Sequence, residues 1–262
     1  GAAQKKNDSL VCVGLDPDLN MMAIQDVAEF NRAIIDATSD IACCYKPNLA
    51  FYEALGMDGL KALEKTIDCV PSHIPIIGDA KRGDIGSTAK AYADAMFLRW
   101  GFDATTISPY LGRDSVEPFI EHTDKGVLVL CHTSNPGSKD FQELYTNDEG
   151  DQKPLYVRIA TKALEWDIAG NIGLVFGATY SSQLMEIRQI CPDMVILAPG
   201  IGAQGGDLLE TVTYGTDKNG NNLIINSSRG IIYSSRDSTT FSESARQSAE
   251  DLRTQINNAL GK

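Results

Sequence analysis

Residues 76–84 read Ile76-Ile77-Gly78-Asp79-Ala80-Lys81-Arg82-Gly83-Asp84, an apolar run that passes directly into alternating charges. The β-branched run Ile74–Asp79 predicts a buried strand, and the amphipathic stretch 86–100 that follows it predicts a helix. Gly83 lets the chain turn between the two. A strand, a charged turn and a helix of these lengths form the repeating unit of parallel α/β folds.

The same unit recurs along the whole chain. Apolar runs predict strands at Val11–Asp16, Ala42–Lys46, Ile74–Asp79, Asp103–Ser108, Val127–His132, Ile172–Gly177, Met194–Ala198 and Leu223–Asn226. Amphipathic stretches predict helices near 25–39, 53–69, 86–100, 114–122, 154–167, 181–190, 205–213 and 240–260. Eight units at intervals of about 30 residues, with no linker between them, predict an α/β protein built as a single (β/α)8 TIM barrel over residues 1–262. A doubly wound open sheet is the alternative.

The composition excludes several classes of protein. The 262 residues are 43% hydrophobic and 22% charged, which is too apolar for a disordered chain. No apolar run approaches the roughly 18 residues that a membrane span requires. The 35 acidic and 23 basic residues give a net charge of −12, which disfavours an interface with a phosphate backbone. We therefore expect neither a nucleic-acid nor a membrane partner.

The cysteines and histidines do not suggest a metal site. The six cysteines include no C-x-x-C pair, and four lie in apolar strand-like runs. We interpret them as reduced core residues, which predicts a cytoplasmic protein. His73, His122 and His132 are scattered and form no H-E-x-x-H motif. A P-loop, a dinucleotide fingerprint and a nucleophile elbow are also absent from the sequence.

Polar residues stand where the predicted strands end. Because the carboxyl ends of barrel strands converge on one pocket, these side chains are expected to lie together. In chain order they are Asp16, Lys46, Asn48, Asp79, Lys81, Thr133, Ser134, Pro199, Gln204 and Arg229. Any one of them is explained by strand capping, but the repetition over several strands predicts a functional site.

The third predicted strand carries the most informative charges. Asp79 and Lys81 are two residues apart, so on an extended strand their side chains leave on the same side, roughly 7 Å apart at the backbone. The carboxylates of Asp79 and Asp84 favour the protonated form of Lys81. Charges about 4 Å apart interact by roughly 4 kcal/mol at an effective dielectric near 20. We therefore expect an ammonium that acts as a cation or proton donor, rather than a Schiff-base amine.

A phosphate site is predicted after the last two strands. The glycine-rich segment 198–206 follows the seventh strand, and 226–231 follows the eighth. In this type of barrel, backbone N–H groups of those two loops commonly bind phosphate. Arg229 adds a bidentate anion ligand. The polar stretch 134–152 is too long for an ordinary loop, which predicts a lid or a surface insertion.

Together these motifs resemble the orotidine 5′-monophosphate decarboxylase family. The resemblance rests on the D-x-K-x-x-D pattern of Asp79–Ile85 and on the segments Val13–Asp16, Lys46–Asn48, Ser108–Gly112, Thr133–Gly137 and Pro199–Gln204. The last four segments resemble the longer-chain branch of that family. The resemblance implies a homodimeric barrel that converts orotidine 5′-monophosphate (OMP) to UMP and CO2 without metal or cofactor.

The resemblance also implies roles for individual residues. Lys46, Asp79, Lys81 and Asp84 would form the charged catalytic network, with Asp84, Ile85 and Thr88 reaching the site of the neighbouring subunit. Asp16 and Asn48 would contact ribose or nearby polar groups, Ser134 the pyrimidine edge, and Gln204 and Arg229 the phosphate. Thr133 and Pro199 complete the substrate contacts predicted at strand ends. Ser228 replaces a glycine of shorter members, and its N–H still donates.

Two other functions fit parts of the pattern. Metal-dependent sugar-phosphate decarboxylases and hexulose-phosphate synthases share D-x-K-x-x-D, but they hold Mg²⁺ near the end of the second strand, where this chain has Lys46. A catalytically silent barrel that binds a phosphorylated ligand is the second alternative. Binding alone does not require a lysine buried between carboxylates.

Overall fold

The computed structural model describes residues 2–148, 150–201 and 207–262. Its strands are β1 (Val11–Leu15), β2 (Cys44–Pro47), β3 (Ile77–Arg82), β4 (Ala104–Ile107), β5 (Gly126–His132), β6 (Tyr145–Asp148), β7 (Asp151–Pro154), β8 (Ile172–Phe176), β9 (Val195–Pro199) and β10 (Leu223–Ser227). Eight of them form a sheet in the order β2-β1-β10-β9-β8-β5-β4-β3, and every pairing within it is parallel.

The two ends of this sheet meet and close it. Isolated parallel bridges join Tyr45 to Ile76 and Asn48 to Asp79, and the Tyr45 N–H donates to the Pro75 carbonyl at 3.0 Å. A sheet closed on itself, with helices on its outer face, is the barrel that the sequence predicts. The TIM barrel is therefore confirmed, and the open-sheet alternative is wrong.

Helices connect most of the strands. They are α1 (Ala2–Lys6), α2 (Val27–Thr38), α3 (Leu49–Glu53), α4 (Gly56–Cys69), α5 (Gly86–Asp94), α6 (Arg113–Ile120), α7 (Leu155–Trp166), α8 (Ser181–Ile190), α9 (Leu208–Gly215), α10 (Arg229–Ile232) and α11 (Phe241–Ala259). None of the described helices is both long and apolar enough to span a membrane.

Two predicted helices differ from the observed ones. The helix expected over 53–69 is divided into α3 and α4, because Asn48 starts α3 early and Gly56 adopts a φ of +63° between the two. The side-chain oxygen of Asn48 accepts from the Ala50 N–H at 3.2 Å, which is a typical N-cap. The helix expected over 86–100 ends at Asp94 and continues as a π-helical turn, Ala95–Arg99.

The core consists of two layers. Inside the barrel, Cys12, Ile77, Leu128, Val175 and Leu197 pack together. A larger cluster fills the space between the strands and the surrounding helices. All six thiols are free, and five are buried. The interior of the barrel is thus a packed core beneath the site rather than a channel.

The polar stretch 134–152 begins with a 3₁₀ turn, Pro136–Asp140, and ends in the antiparallel hairpin formed by β6 and β7. Arg158 of α7 holds this hairpin by an ion pair with Asp151, Nη1 to Oδ2, at 2.9 Å. The stretch is therefore a structured surface insertion, and its first residues reach the cavity described next.

Candidate active site

A cavity of about 750 Å³ opens at the carboxyl ends of the barrel strands. Ten residues predicted for the site line it: Asp16, Lys46, Asn48, Asp79, Lys81, Thr133, Ser134, Pro199, Ser228 and Arg229. Gln204 lies outside the described residues. Asp84, Ile85 and Thr88 are not among the described residues that line this cavity. The convergence of strand ends expected from the sequence therefore holds for most of the set.

An ion-paired triad forms the charged floor of the cavity. Lys46 Nζ donates to Asp79 Oδ2 at 2.9 Å, and Lys81 Nζ donates to Asp79 Oδ1 at 2.6 Å. The side chains of Lys46 and Asp79 are only 4% and 9% exposed, whereas that of Lys81 is 47% exposed. One carboxylate is thus shared by a buried ammonium and by an ammonium that faces the cavity.

The triad keeps its charges despite burial. Burial acts to raise the pKa of Asp79, but the ammonium groups of Lys46 and Lys81 outweigh it and hold that pKa well below its usual range. Burial likewise acts to lower the pKa of Lys46, but the carboxylates of Asp79 and Asp16 outweigh it and raise that pKa. At neutral pH, Lys46 is therefore an ammonium and Asp79 a carboxylate.

Strand β3 is not regularly extended through the triad. Lys81 adopts a φ of +48°, and the pairing of β3 with β4 shifts register between Gly78 and Arg82. The extended geometry assumed from the two-residue spacing is therefore wrong, although the charges do meet. An irregular strand keeps Asp79 buried while it turns Lys81 towards the cavity. The observed strand is Ile77–Arg82, which begins and ends three residues later than the predicted Ile74–Asp79.

Thr106 of β4 supports this irregularity, and the sequence analysis did not single it out. Its side chain is buried and lines the cavity. The Thr106 hydroxyl donates to Asp79 Oδ1 at 2.8 Å and accepts from the N–H groups of Ala80 and Lys81, both at 3.0 Å. Two adjacent threonines between the apolar residues of this short strand were the available signal.

The segment around the end of β10, which the sequence predicts to bind phosphate, packs against β1. A side chain at Gly14 would place its Cβ 1.8 Å from Ser228 Oγ and 3.2 Å from Asn226 Oδ1. Only glycine therefore permits this close approach. Arg229 follows as the first residue of α10 and is exposed at the cavity wall. None of the described carboxylates forms an ion pair with it.

The loop after β1 is held by Tyr233, the residue that follows α10. Tyr233 Oη donates to the Asp16 carbonyl and accepts from the Asp18 N–H, both at 2.6 Å. This tyrosine lines the cavity but was not predicted. Oδ1 of Asp16 is buried and has no hydrogen-bond partner among the described residues. An acceptor of this kind is available to a ligand hydroxyl.

The surface insertion forms a further part of the wall. Gln142 Oε1 accepts from the Thr133 N–H at 2.7 Å, and its Nε2 donates to the Thr133 hydroxyl at 2.9 Å. Ser134 packs tightly on Gly177, where an added Cβ would lie 2.8 Å from the Ser134 nitrogen. Gln142, which also lines the cavity, was not predicted, because only the folded insertion brings it there.

The remaining predicted residues lie on the rim. Asp84 and Ile85 connect β3 to α5, and Thr88 lies in the first turn of that helix. Ile85 is 55% exposed, and Thr88 is exposed as well. Oδ1 of Asp84 accepts from the Ile85 N–H at 2.8 Å.

The described residues contain no group of three or more histidine, cysteine, aspartate or glutamate side chains arranged to hold a metal ion. Lys46 stands at the end of the second strand, where the metal-dependent alternative expects Mg²⁺, and both oxygens of Asp79 already accept from ammonium groups. A cation there would be repelled at close range.

Comparison with known proteins decides the family. The sequence profile of the orotidine 5′-phosphate decarboxylase / HUMPS family matches residues 9–243. This chain belongs to that family. A relative from Dehalococcoides mccartyi, named orotidine 5′-phosphate decarboxylase, is 51% identical over 256 residues, which are 97% of this chain and 94% of the relative. A Thermomicrobium roseum protein of the same name is 49% identical over 258 residues, 96% of this chain and 91% of that protein.

Solved structures of family members agree with the barrel. The Leishmania donovani OMP decarboxylase superposes with a TM-score of 0.87 at 39% identity and covers 98% of this chain and 97% of its own. The Leishmania donovani UMP synthase gives a TM-score of 0.88 at 41% identity, over 98% of this chain and 55% of that longer one. The resemblance that the sequence motifs predicted is therefore confirmed over nearly the whole chain.

Proposed function

We propose that this member of the orotidine 5′-phosphate decarboxylase family converts OMP to UMP and CO2 without a metal or an organic cofactor, in the last step of de novo pyrimidine nucleotide synthesis. The observation that carries the proposal is the triad in which Asp79 joins the buried Lys46 to the cavity-facing Lys81. The cavity, at about 750 Å³, falls within the range of about 300–1,000 Å³ that is usual for small-molecule sites.

The chemistry requires a fixed positive charge. Loss of CO2 from C6 of the pyrimidine leaves a carbanion whose lone pair lies in the ring plane, where the π system cannot accept it. Placed charges must then stabilise it. The Lys81 ammonium stabilises the developing anion and donates the proton that C6 receives. The electron pair of the broken C–C bond becomes the new C–H bond, and Lys81 is left neutral until it takes a proton from water.

The other predicted residues are assigned to three parts of the nucleotide: the ribose, the pyrimidine edge and the phosphate. We assign the ribose hydroxyls to Asp16, whose buried Oδ1 lacks a partner among the described residues, and to Asn48, whose Oδ1 caps α3. Ser134 faces the pyrimidine edge from the wall that the insertion forms, with Thr133 and Pro199 beside it. Arg229 binds the phosphate with the Ser228 N–H and Gln204. A local cation is needed because the net charge of −12 repels an anionic substrate.

We also propose that the protein acts as a homodimer. Asp84, Ile85 and Thr88 lie outside this chain's cavity, on the exposed segment that follows β3. Ile85 of this segment is 55% exposed, so its side chain is accessible to a second chain. In a symmetric pair, this segment of one chain lies across the cavity of the other, and each site then depends on both chains.

A direct assay separates this function from its alternatives. The purified protein should deplete OMP absorbance and form UMP and CO2 at the same rate before and after exhaustive treatment with EDTA. Loss of activity on chelation, with recovery on Mg²⁺ addition, would favour the metal-dependent branch. UMP binding without turnover would favour a silent binding barrel.

Arg229→Ala should mainly weaken binding. The guanidinium contributes a bidentate, charge-assisted contact to phosphate, so its removal is expected to weaken UMP affinity by roughly 10- to 150-fold. Calorimetry with UMP and with uridine checks the assignment, because only the phosphorylated ligand should lose affinity. Arg99→Ala, at an exposed position after α5, is the matched control. Unchanged UMP affinity in Arg229→Ala would contradict the phosphate site.

We infer a cytosolic location from the same function and from the thiols. All six cysteines are free, and the five buried ones pack as apolar residues. Proteins of oxidising compartments usually pair such residues. Thiol titration of protein that was denatured directly from lysed cells should find six reactive groups, and fewer would contradict this inference.

A further inference from the structure

We propose that Thr106 is a positioning residue of the decarboxylation site, whose hydroxyl holds Asp79 and the backbone of Lys81 in the arrangement that aims the Lys81 ammonium into the cavity. This inference rests on the proposed function and deepens it, since it concerns how the proton donor is placed. Thr106 itself would act through Asp79 and Lys81.

The hydrogen bonds of this hydroxyl are fully determined. A hydroxyl has one proton to donate and two lone pairs that accept. The N–H groups of Ala80 and Lys81 only donate, so they occupy both lone pairs, each at 3.0 Å. The Thr106 proton must therefore point to Asp79 Oδ1 at 2.8 Å. Every bonding position of the hydroxyl is used, and its rotation is fixed.

The second step concerns the carboxylate. Asp79 Oδ1 receives the Thr106 proton and the Lys81 ammonium, while Oδ2 receives the Lys46 ammonium. A hydroxyl that donates a hydrogen bond to a carboxyl oxygen stabilises the ionised form of that acid. Thr106 thus orients the plane of the carboxylate, and that plane determines where Lys81 Nζ lies.

The third step concerns the backbone. Lys81 has a φ of +48°, a conformation that costs a residue with a side chain about 1–3 kcal/mol unless its surroundings hold it. At this point the β3–β4 ladder shifts register, which interrupts the regular backbone pairing between Gly78 and Arg82. The Thr106 hydroxyl accepts from the Ala80 and Lys81 N–H groups within that interruption. Without its hydroxyl, both N–H groups are buried or half-buried donors with no acceptor, and the irregular strand can relax.

The preceding residue provides a matched control. Thr105 is also fully buried, and its hydroxyl donates to the Gly78 carbonyl at 2.8 Å. It is not among the described residues that line the cavity, and its hydroxyl forms no hydrogen bond with Asp79 or Lys81 in the described part of the chain. Thr105→Val therefore removes one buried hydrogen bond from the same strand and leaves the triad intact.

The test compares Thr106→Val, Thr106→Ser and Thr105→Val in the full-length enzyme. We expect Thr106→Val to lower kcat about 10- to 100-fold with KM changed less than about threefold, because a displaced proton donor affects the reaction more than substrate binding. As the pH is lowered, the kcat of this variant should begin to fall at a higher pH than the wild-type kcat does. Thr106→Ser should recover kcat to within about threefold, and Thr105→Val should lose thermal stability but not kcat.

The outcomes are distinguishable. If the wild-type protein does not decarboxylate OMP, the proposed function fails, whatever the variants do. If the wild type is active and Thr106→Val keeps kcat within twofold with an unshifted acid limb, the positioning role of Thr106 is wrong. An equal loss of kcat in Thr105→Val would show general destabilisation and would also overturn it. Circular dichroism checks folding, and Thr106→Ala replaces the valine variant if that variant is unfolded.

Discussion

Lys81→Ala should remove nearly all OMP decarboxylation, with kcat lowered by about 10⁴-fold or more. In the proposed mechanism the lysine is both the charge that stabilises the carbanion and the acid that protonates it, and each role alone is typically worth about 10²–10⁴-fold. The side chain is 47% exposed at the cavity, so its removal creates little strain in the core. UMP affinity should change far less than kcat, because the ribose and phosphate contacts remain.

Lys61→Ala is the control for this variant. Lys61 pairs with Asp58 at 3.4 Å, as Lys81 pairs with Asp79, but its side chain is 67% exposed on α4 and it does not line the cavity. Its activity should equal that of the wild type. Retention of more than about one-tenth of wild-type kcat by Lys81→Ala, in single-turnover conditions where chemistry limits the rate, would exclude Lys81 as the acid.

The same variant tests whether the site is shared between two chains. Asp84→Ala should also be inactive if Asp84 completes the neighbouring site. When the two inactive variants are mixed and allowed to exchange subunits, half of the dimers are mixed and one of the two sites in each is intact, so about one quarter of all sites should recover. No recovery after demonstrated subunit exchange would mean that Asp84 does not complete the site that contains Lys81 of the neighbouring chain.

Asp79→Asn should cause a large loss of both stability and activity. Asparagine keeps the shape of the side chain but leaves the ammonium of Lys46, which is 4% exposed, without its closest countercharge. Removal of one partner from a buried ion pair typically costs about 3–5 kcal/mol of unfolding free energy. Lys81 loses its anchor at the same time, so kcat should fall at least as far as in Thr106→Val.

The stability that this variant loses relative to the wild type should depend on pH in a defined direction. The folded protein holds the pKa of Asp79 below its ordinary value of 3.8. The stabilisation from this carboxylate is therefore complete above about pH 4 and is lost as the pH falls through the lowered pKa. Urea unfolding should show a smaller difference between wild type and Asp79→Asn at pH 3 than at pH 7. Asp58→Asn, in an exposed pair, should show no difference at either pH.

The sequence predicted the barrel because each strand is buried and short, and its apolar run is visible without tertiary information. It predicted most of the cavity for a related reason. Polar residues such as Asp16, Lys46 and Arg229 stand directly after those runs, and the topology of a barrel brings all strand ends to one face. Both inferences need only the order of elements along the chain.

Other features depend on contacts between distant residues. The irregularity of β3 at Lys81 is held by the hydroxyl of Thr106, which is 25 residues away. The sequence around Lys81 does not indicate this irregularity. Tyr233 contacts the loop after β1, 217 residues earlier, because β10 and β1 are neighbours in the closed sheet. The early start of α3 follows from a cap at Asn48, a residue that was predicted only to contact a ligand.

The closure of the barrel gives the triad a second importance. Strands β2 and β3 are joined by isolated bridges instead of a continuous ladder, and Lys46 belongs to the first strand and Asp79 to the second. Their ion pair is therefore a noncovalent cross-link over the seam at which the sheet meets itself. A mutation that abolishes the reaction there also loosens the scaffold. A descendant that lost Lys46 or Asp79 while it evolved a different reaction would therefore need another contact to join β2 to β3.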